Sequence, residues 1–306
     1  PLGNISNITT ILDNEGGYYP TIKTDEHGFN NPKGLYIKNK VDIMLTGDSF
    51  TEGYSVQSNE TISAVLRESG FNAISIGSRG NGPLLEFMAL KEYAKPLQPK
   101  IVLWVYFVND LGDLKKEVNS SILMKYLNED DFSQNLISKQ DEIDLALKNY
   151  IKEKWEEEKK IKRNIIIPDS ILKLKNIGIK LRIIPTSVTE SQGPVPMQIF
   201  NNLLVKSKDL VTNWGGKIYF VYLPSYFQYF NGKEGQYRES IFHTLAELGI
   251  PIIDIHKKVF VQHPDPLSLF PLRMQGHYTA EGYRLVAEVI NKRLKKDGFI
   301  PSQSHN

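Results

Sequence analysis

The sequence predicts an α/β fold in which a parallel sheet is covered by helices on both faces. Three observations predict it. Five short apolar runs, at 43–45, 74–76, 102–108, 218–223 and 252–255, have the length and composition of buried strands. Helical stretches separate them, as crossovers between parallel strands require. Turn residues follow the runs that end near 45 and 76, the punctuation of a chain leaving a sheet. The prediction is a three-layer α/β/α sandwich of the flavodoxin-like kind with a central parallel sheet. A chain of 306 residues with 41% hydrophobic content can bury the core this needs.

An N-terminal arm, residues 1–40, comes first. It carries Tyr18, Tyr19 and the segment Thr24-Asp25-Glu26-His27-Gly28-Phe29-Asn30-Asn31-Pro32, and its default role is to pack on the core. The first strand then ends in Gly47-Asp48-Ser49-Phe50. Ser49 would sit at the carboxyl edge of the sheet, where open α/β sheets gather ligands and an alcohol can be aimed at a substrate. Asp48 braces the turn, since Asp there bonds its own backbone. The second strand runs into Gly77-Ser78-Arg79-Gly80-Asn81-Gly82-Pro83, whose glycines free backbone N–H groups to point at a negatively charged atom. A helical stretch follows over 84–93. The third strand closes on Phe107-Val108-Asn109-Asp110, and the Asn109 amide can donate to a developing oxyanion.

Residues 111–193 form a mainly helical insertion between the third and fourth strands. Ile143, Leu145, Leu147, Tyr150 and Ile151 lead into Lys152-Glu153-Lys154-Trp155-Glu156-Glu157-Glu158-Lys159-Lys160, which reads as a solvated helix laced by i,i+4 pairs. The functional alternative is a lid over Ser49. The fourth strand leaves the sheet through Tyr222-Leu223-Pro224-Ser225-Tyr226-Phe227-Gln228-Tyr229-Phe230, at the same edge as Ser49. Those aromatics can stack on sugar rings, enclose an acyl chain, or be plain core. Near the end, Gly276-His277-Tyr278-Thr279-Ala280-Glu281-Gly282-Tyr283 precedes Leu285, Val286, Val289 and Ile290 at helical spacing. Thr279 caps that helix and places His277 just ahead of it, before a polar tail at 298–306.

Ser, Gly, Asn and His in this order, at these positions, resemble the four blocks of the SGNH (GDSL-like) hydrolase family. The resemblance covers residues 41–110 and 194–297 around the insertion. It implies that Ser49 is a nucleophile and His277 its base, with the N–H groups of Ser49 and Gly80 and the Asn109 amide forming an oxyanion hole. Two departures stand out. Phe107 replaces the usual leading glycine of the third block, and Met274 occupies the position where the family has Asp three residues before the His. The imidazole then needs another orienting group, either Asp265 in His263-Pro264-Asp265-Pro266 or a backbone carbonyl that leaves a Ser–His dyad.

The resemblance implies a serine ester hydrolase acting through an acyl-enzyme, with a short acyl group such as acetyl on a carbohydrate as the favoured substrate. Transfer of the acyl group to a glycan, as an O-acetyltransferase, uses the same intermediate. Two other readings stand beside it: a catalytically weak glycan-binding module in which Met274 has displaced the acid, and a lipase or thioesterase whose insertion is a lid. No cofactor or metal is called for. His256, His263 and Asp265 fit no familiar metal-ligand spacing. His27, His243, His256 and His305 sit in a turn, a helix, a strand end and the tail, which makes them poorer bases.

A net charge of +2 spread through the chain offers no basic footprint for nucleic acid. There are no cysteines, hence no disulfides, and no stretch is apolar enough to span a bilayer. The arm resembles the approach to the first strand in membrane-tethered or envelope members of the family. Pro1-Leu2-Gly3 looks like the remnant of a cleaved tag. The expectation is therefore a soluble fragment with a membrane anchor upstream, working in the periplasm or cell envelope on an acylated small molecule or glycan.

Overall fold

The computed structural model describes residues 2–164 and 194–301. Its centre is a sheet of five parallel strands, β3 (Ile43–Gly47), β4 (Ala73–Ser75), β5 (Ile101–Tyr106), β6 (Lys217–Tyr222) and β7 (Ile252–Asp254), in the order β4-β3-β5-β6-β7. All five apolar runs are strands, and the order is that of the flavodoxin-like sheet. The strand order reverses beside β3, so the crevice between the ends of β3 and β5 is where such a sheet takes a ligand.

Alternation of side chains divides the core in two. Met44, Val102, Trp104, Phe220 and Tyr222 point to one face, and Ile43, Leu45, Leu103, Val105, Tyr219 and Val221 to the other. On the second face lie α1 (Ser49–Glu52) and α2 (Ile62–Glu68), through Phe50, Ile62 and Leu66. The first face takes α3 (Pro83–Ala89) and, after one wide helical turn at Leu90–Ala94, α4 (Lys95–Leu97). It also takes α5 (Asp110–Glu117) and α6 (Ser121–Asn128), which bury Leu111, Leu114, Leu123, Tyr126 and Leu127. From there α7 (Gln140–Asn164) runs out into solvent, with Lys154 to Glu157 and Lys159 to Glu156 pairing at i,i+3.

The expected insertion at 111–193 thus begins as core: its first helices complete a layer instead of roofing the sheet edge. Its remainder from 165 to 193 lies outside the described residues, as does His305 in the tail. The chain returns through α8 (Met197–Asn213), α9 (Tyr226–Phe230), α10 (Arg238–Glu247), α11 (Ile255–Lys258) and α12 (Ala280–Lys296). Thr279 caps α12, its hydroxyl accepting the Gly282 N–H at 3.2 Å. No helix among the described residues is long and apolar enough to cross a membrane.

The arm folds into a hairpin. Strands β1 (Thr9–Ile11) and β2 (Thr21–Lys23) pair antiparallel and project the loop 12–20 onto the sheet's carboxyl edge. Contacts along its length hold it there: Thr21 N–H on Gln57 (3.1 Å), Lys23 N–H on Ser58 (3.3 Å), and the Ser6 hydroxyl on Asp144 (2.7 Å). Leu2 is buried in the core.

Candidate functional site

Ser49 is the first residue of α1, immediately beyond the end of β3. The exit is tight, because a Cβ on Gly47 would come within 2.6 Å of the Val105 carbonyl oxygen on the neighbouring strand. Asp48 caps the helix with its carboxylate, accepting the Phe50 N–H at 2.9 Å. Burial pushes the Asp48 pKa up to about 6. A residue at the first helical position has no intrahelical acceptor for its N–H, so that of Ser49 is available to a ligand.

His277 comes from the other end of the chain and meets Ser49 here. Its Nε2 lies 2.8 Å from Ser49 Oγ. Its Nδ1 lies 2.9 and 3.1 Å from the two oxygens of Glu15, and its backbone N–H donates to the same carboxylate at 2.9 Å. Burial pushes the Glu15 carboxyl up, but its hydrogen bonds to His277 and the attraction of the imidazole outweigh burial and hold it below its ordinary value. An ionised carboxylate can only accept, so Nδ1 carries the proton. Nε2 is then a bare lone pair, and the Ser49 hydroxyl donates to it.

Two tilted rings pack against the imidazole. Phe50 and Tyr54 each lie 4.7 Å from it, centroid to centroid. The Tyr54 hydroxyl donates to Asp13 at 2.9 Å, and the Arg79 guanidinium sits 5.2 Å from the Tyr54 ring. Arg79 is itself gripped by the buried Glu52 through Nε (3.2 Å) and Nη2 (2.9 Å). Asp13 and Glu15 both belong to the hairpin loop, so the arm supports this site directly as well as packing on the core.

Glu15 corrects the expectation for Asp265. The Asp265 carboxylate is bound by Arg273 (Nη1 at 2.9 Å) on the exposed surface, and its backbone N–H turns to His263 Nδ1 at 3.1 Å. A guanidinium fork in its own loop captures it, while His277 faces the arm. Met274 is exposed and makes no side-chain hydrogen bond to the imidazole. The carboxylate that meets the imidazole is that of Glu15. Gly276 leaves the necessary gap, since a Cβ there would stand 2.9 Å from Glu15 Oε2.

The Ser49 hydroxyl opens into a cavity of about 460 Å³ lined by Phe50, Phe107, Asn109, Tyr226, Phe227 and His277 among others. Asn109 therefore shares the cavity with Ser49 and His277. Its Nδ2 donates to Asp113 at 3.1 Å, which fixes the amide at the start of α5. Gly80 is not among the lining residues. Its φ of +80° turns the loop after β4, and its N–H has no protein acceptor among the described residues. Phe107 packs against Phe50, tilted, with ring centroids 4.1 Å apart, and lines the cavity. Of the aromatic run after β6, Tyr226 and Phe227 line the cavity, whereas Tyr229 bonds His256 at 2.7 Å and Phe230 is exposed.

The residue that sequence reasoning missed is Glu15. Its signal was indirect: a base without a local acid, and two carboxylates in the turn-rich Asp13-Asn14-Glu15-Gly16-Gly17 of an arm preceding the first strand.

No protein-family model and no curated protein matches the chain. Solved structures are similar to it. One is a lipolytic protein of the G-D-S-L family from Desulfitobacterium hafniense DCB-2, 13% identical over 82% of this chain and 98% of that one, with a TM-score of 0.47. Another is the lipase/acylhydrolase from Enterococcus faecalis, 12% identical over 86% of this chain and 100% of that one, with a TM-score of 0.47. A third is an acetyl xylan esterase, 12% identical over 83% of this chain and 100% of that one, with a TM-score of 0.48. Such distant similarity assigns no chemistry, which has to come from the site's own distances.

Proposed function

We propose that this protein is an SGNH-type serine ester hydrolase that works through an acyl-enzyme. The observation that carries the reading is the relay Glu15–His277–Ser49, with hydrogen bonds of 2.9 and 2.8 Å, opening into a cavity. Ser49 Oγ attacks the ester carbonyl carbon as His277 Nε2 takes the hydroxyl proton, and the imidazolium so formed is stabilised by Glu15. The carbonyl oxygen becomes an oxyanion facing the Ser49 N–H, the Asn109 amide and, by resemblance, the Gly80 N–H. Collapse of the tetrahedral intermediate breaks the bond to the alcohol, which leaves with the proton from Nε2. Water then repeats the sequence on the acyl-enzyme, freeing the acid and restoring Ser49.

The substrate we favour is a short acyl group, acetyl first, on a carbohydrate. A cavity of about 460 Å³ is at the modest end of ligand sites, and Tyr226 and Phe227 offer aromatic faces to a sugar ring. Transfer to a glycan hydroxyl would use the same acyl-enzyme. Hydrolysis is preferred because water needs no second binding site. A module that only held a glycan would have no use for a carboxylate brought across 262 positions to orient one imidazole.

Mass spectrometry of an acetylated oligosaccharide incubated with the protein, with and without a donor ester, tests this reading. Loss of acetyl in the absence of donor is the expected result. Gain of acetyl only with donor would establish transfer instead, and no change in either arm with acetylated sugars or simple acetyl esters would refute the proposal.

A further inference from the structure

A second cavity, of about 600 Å³, lies apart from the Ser49 site and shares no lining residue with it. The arm builds one wall with Lys23 and Thr24 of the hairpin and Asn31, Pro32 and Lys33 of the following loop. Ser58, Asn59 and the helix α2, with Ala64, Arg67 and Glu68, build the other. The Lys23 N–H bond to Ser58 Oγ at 3.3 Å stitches the two together.

Arg67 decides what such a space can hold. Its Nη1 donates to the Ala73 carbonyl at 2.8 Å and to Asn31 Oδ1 at 3.4 Å, which fixes the plane of the guanidinium. Its Nε and Nη2 have no acceptor, and no carboxylate forms an ion pair with it among the described residues. Burial pushes its pKa down to about 10. Asp25 and Glu68 attract the guanidinium from nearby, but neither bonds it, and its Nε–Nη2 edge is left without a hydrogen-bond partner among the described residues. Here the free edge of the fork belongs to a residue that lines a cavity, and Lys23 and Lys33 add two positive charges to the walls against the single acid Glu68. A guanidinium with one edge free presents two parallel N–H donors, the geometry that oxyanions accept. The volume is many times that of a single water, whose share of the liquid is about 30 Å³. Ser58 and Asn59 supply neutral polar groups for hydroxyls.

We propose that this cavity binds a sugar carrying an oxyanion, a uronate or a sugar phosphate, with Arg67 taking the anion on its free edge and Lys23 and Lys33 supplying further charge. The inference does not depend on the chemistry of Ser49.

Isothermal titration of the full chain tests it with glucuronate, glucose 6-phosphate, glucose and inorganic phosphate. Saturable binding of at least one acidic sugar, absent for glucose and weakened by added salt, is the expected result. The exposed double substitution Lys23→Ala/Lys33→Ala should weaken binding by at least about tenfold, and Ser49→Ala should leave it unchanged. Arg67→Lys, which keeps the charge and loses the fork, should weaken it as much in protein whose melting temperature is preserved. Binding of glucose as tight as that of the acidic sugars would overturn the proposal, as would binding indifferent to the double substitution or no saturation at all. Inorganic phosphate binding as tightly as glucose 6-phosphate would assign the cavity to a bare anion and overturn the sugar.

Discussion

The carboxylate of Glu15 accepts the Nδ1–H of His277 at 2.9 Å across 262 positions of sequence, and takes the His277 backbone N–H as well. A hairpin loop in the arm thus sets the tautomer of the imidazole beside Ser49. The geometry separates the two acids considered for this role. Glu15→Gln should lower kcat for p-nitrophenyl acetate by about 10³- to 10⁴-fold, the scale seen when a triad acid becomes an amide. Asp265→Asn should leave kcat within a few-fold. The reverse pattern in steady-state kinetics would return the role to Asp265.

Asn109 shares the cavity with Ser49, and its amide is the side-chain donor proposed for the oxyanion. Asn109→Ala should therefore cost about 2.7–4 kcal/mol of barrier, seen as a fall in kcat with little change in KM. A change confined to KM would make Asn109 a ground-state contact only.

Much of this arrangement is legible in the chain. Ser49, Asn109 and His277 each follow a strand or precede a helix whose apolar pattern is strong, so local signals place them at one edge. Glu15 follows no such rule. It lies in a turn-rich loop between two short strands, its contact with His277 is among the longest-range in the molecule, and no local period links the two residues. Asp265 looked better placed because it shares a connection with His277, but nothing in sequence shows that Arg273 takes its carboxylate. The helices after 111 were open to reading as a lid because their burial is decided by packing against α3 and α8, far from them in sequence. That is a tertiary fact.

Tyr54 packs against His277 with ring centroids 4.7 Å apart, so its effect should come through the imidazole. Burial and its bond to Asp13 push its hydroxyl pKa up to about 12, so the ring stays neutral and hydrogen-bonded through the working range. Tyr54→Leu should reduce kcat by roughly 10- to 100-fold through loss of orientation, and Tyr54→Phe, which keeps the ring, by much less. Equal losses in both variants would place the effect in the Asp13 hydrogen bond instead of the ring.

Glu117 accepts the Gly82 and Leu84 N–H groups at 2.7 and 2.9 Å, capping α3 behind the Gly80 loop. Burial pushes its pKa from 4.5 up to about 7. An acid raised in the folded state keeps a proton that the unfolded chain has released, so its contribution to stability is greatest below the unfolded value and is lost as pH climbs through the folded one. Urea unfolding should show stability falling between about 4.5 and about 7, with a shallower slope in Glu117→Gln. An unchanged slope in the variant would remove Glu117 from that pH dependence.

Intact-protein mass spectrometry after treatment with a fluorophosphonate addresses the nucleophile without reference to any substrate. The account predicts one adduct per chain, mapped to the peptide containing Ser49, and none in Ser49→Ala. An adduct that persists in Ser49→Ala, or a wild-type protein that takes up no label, would contradict it.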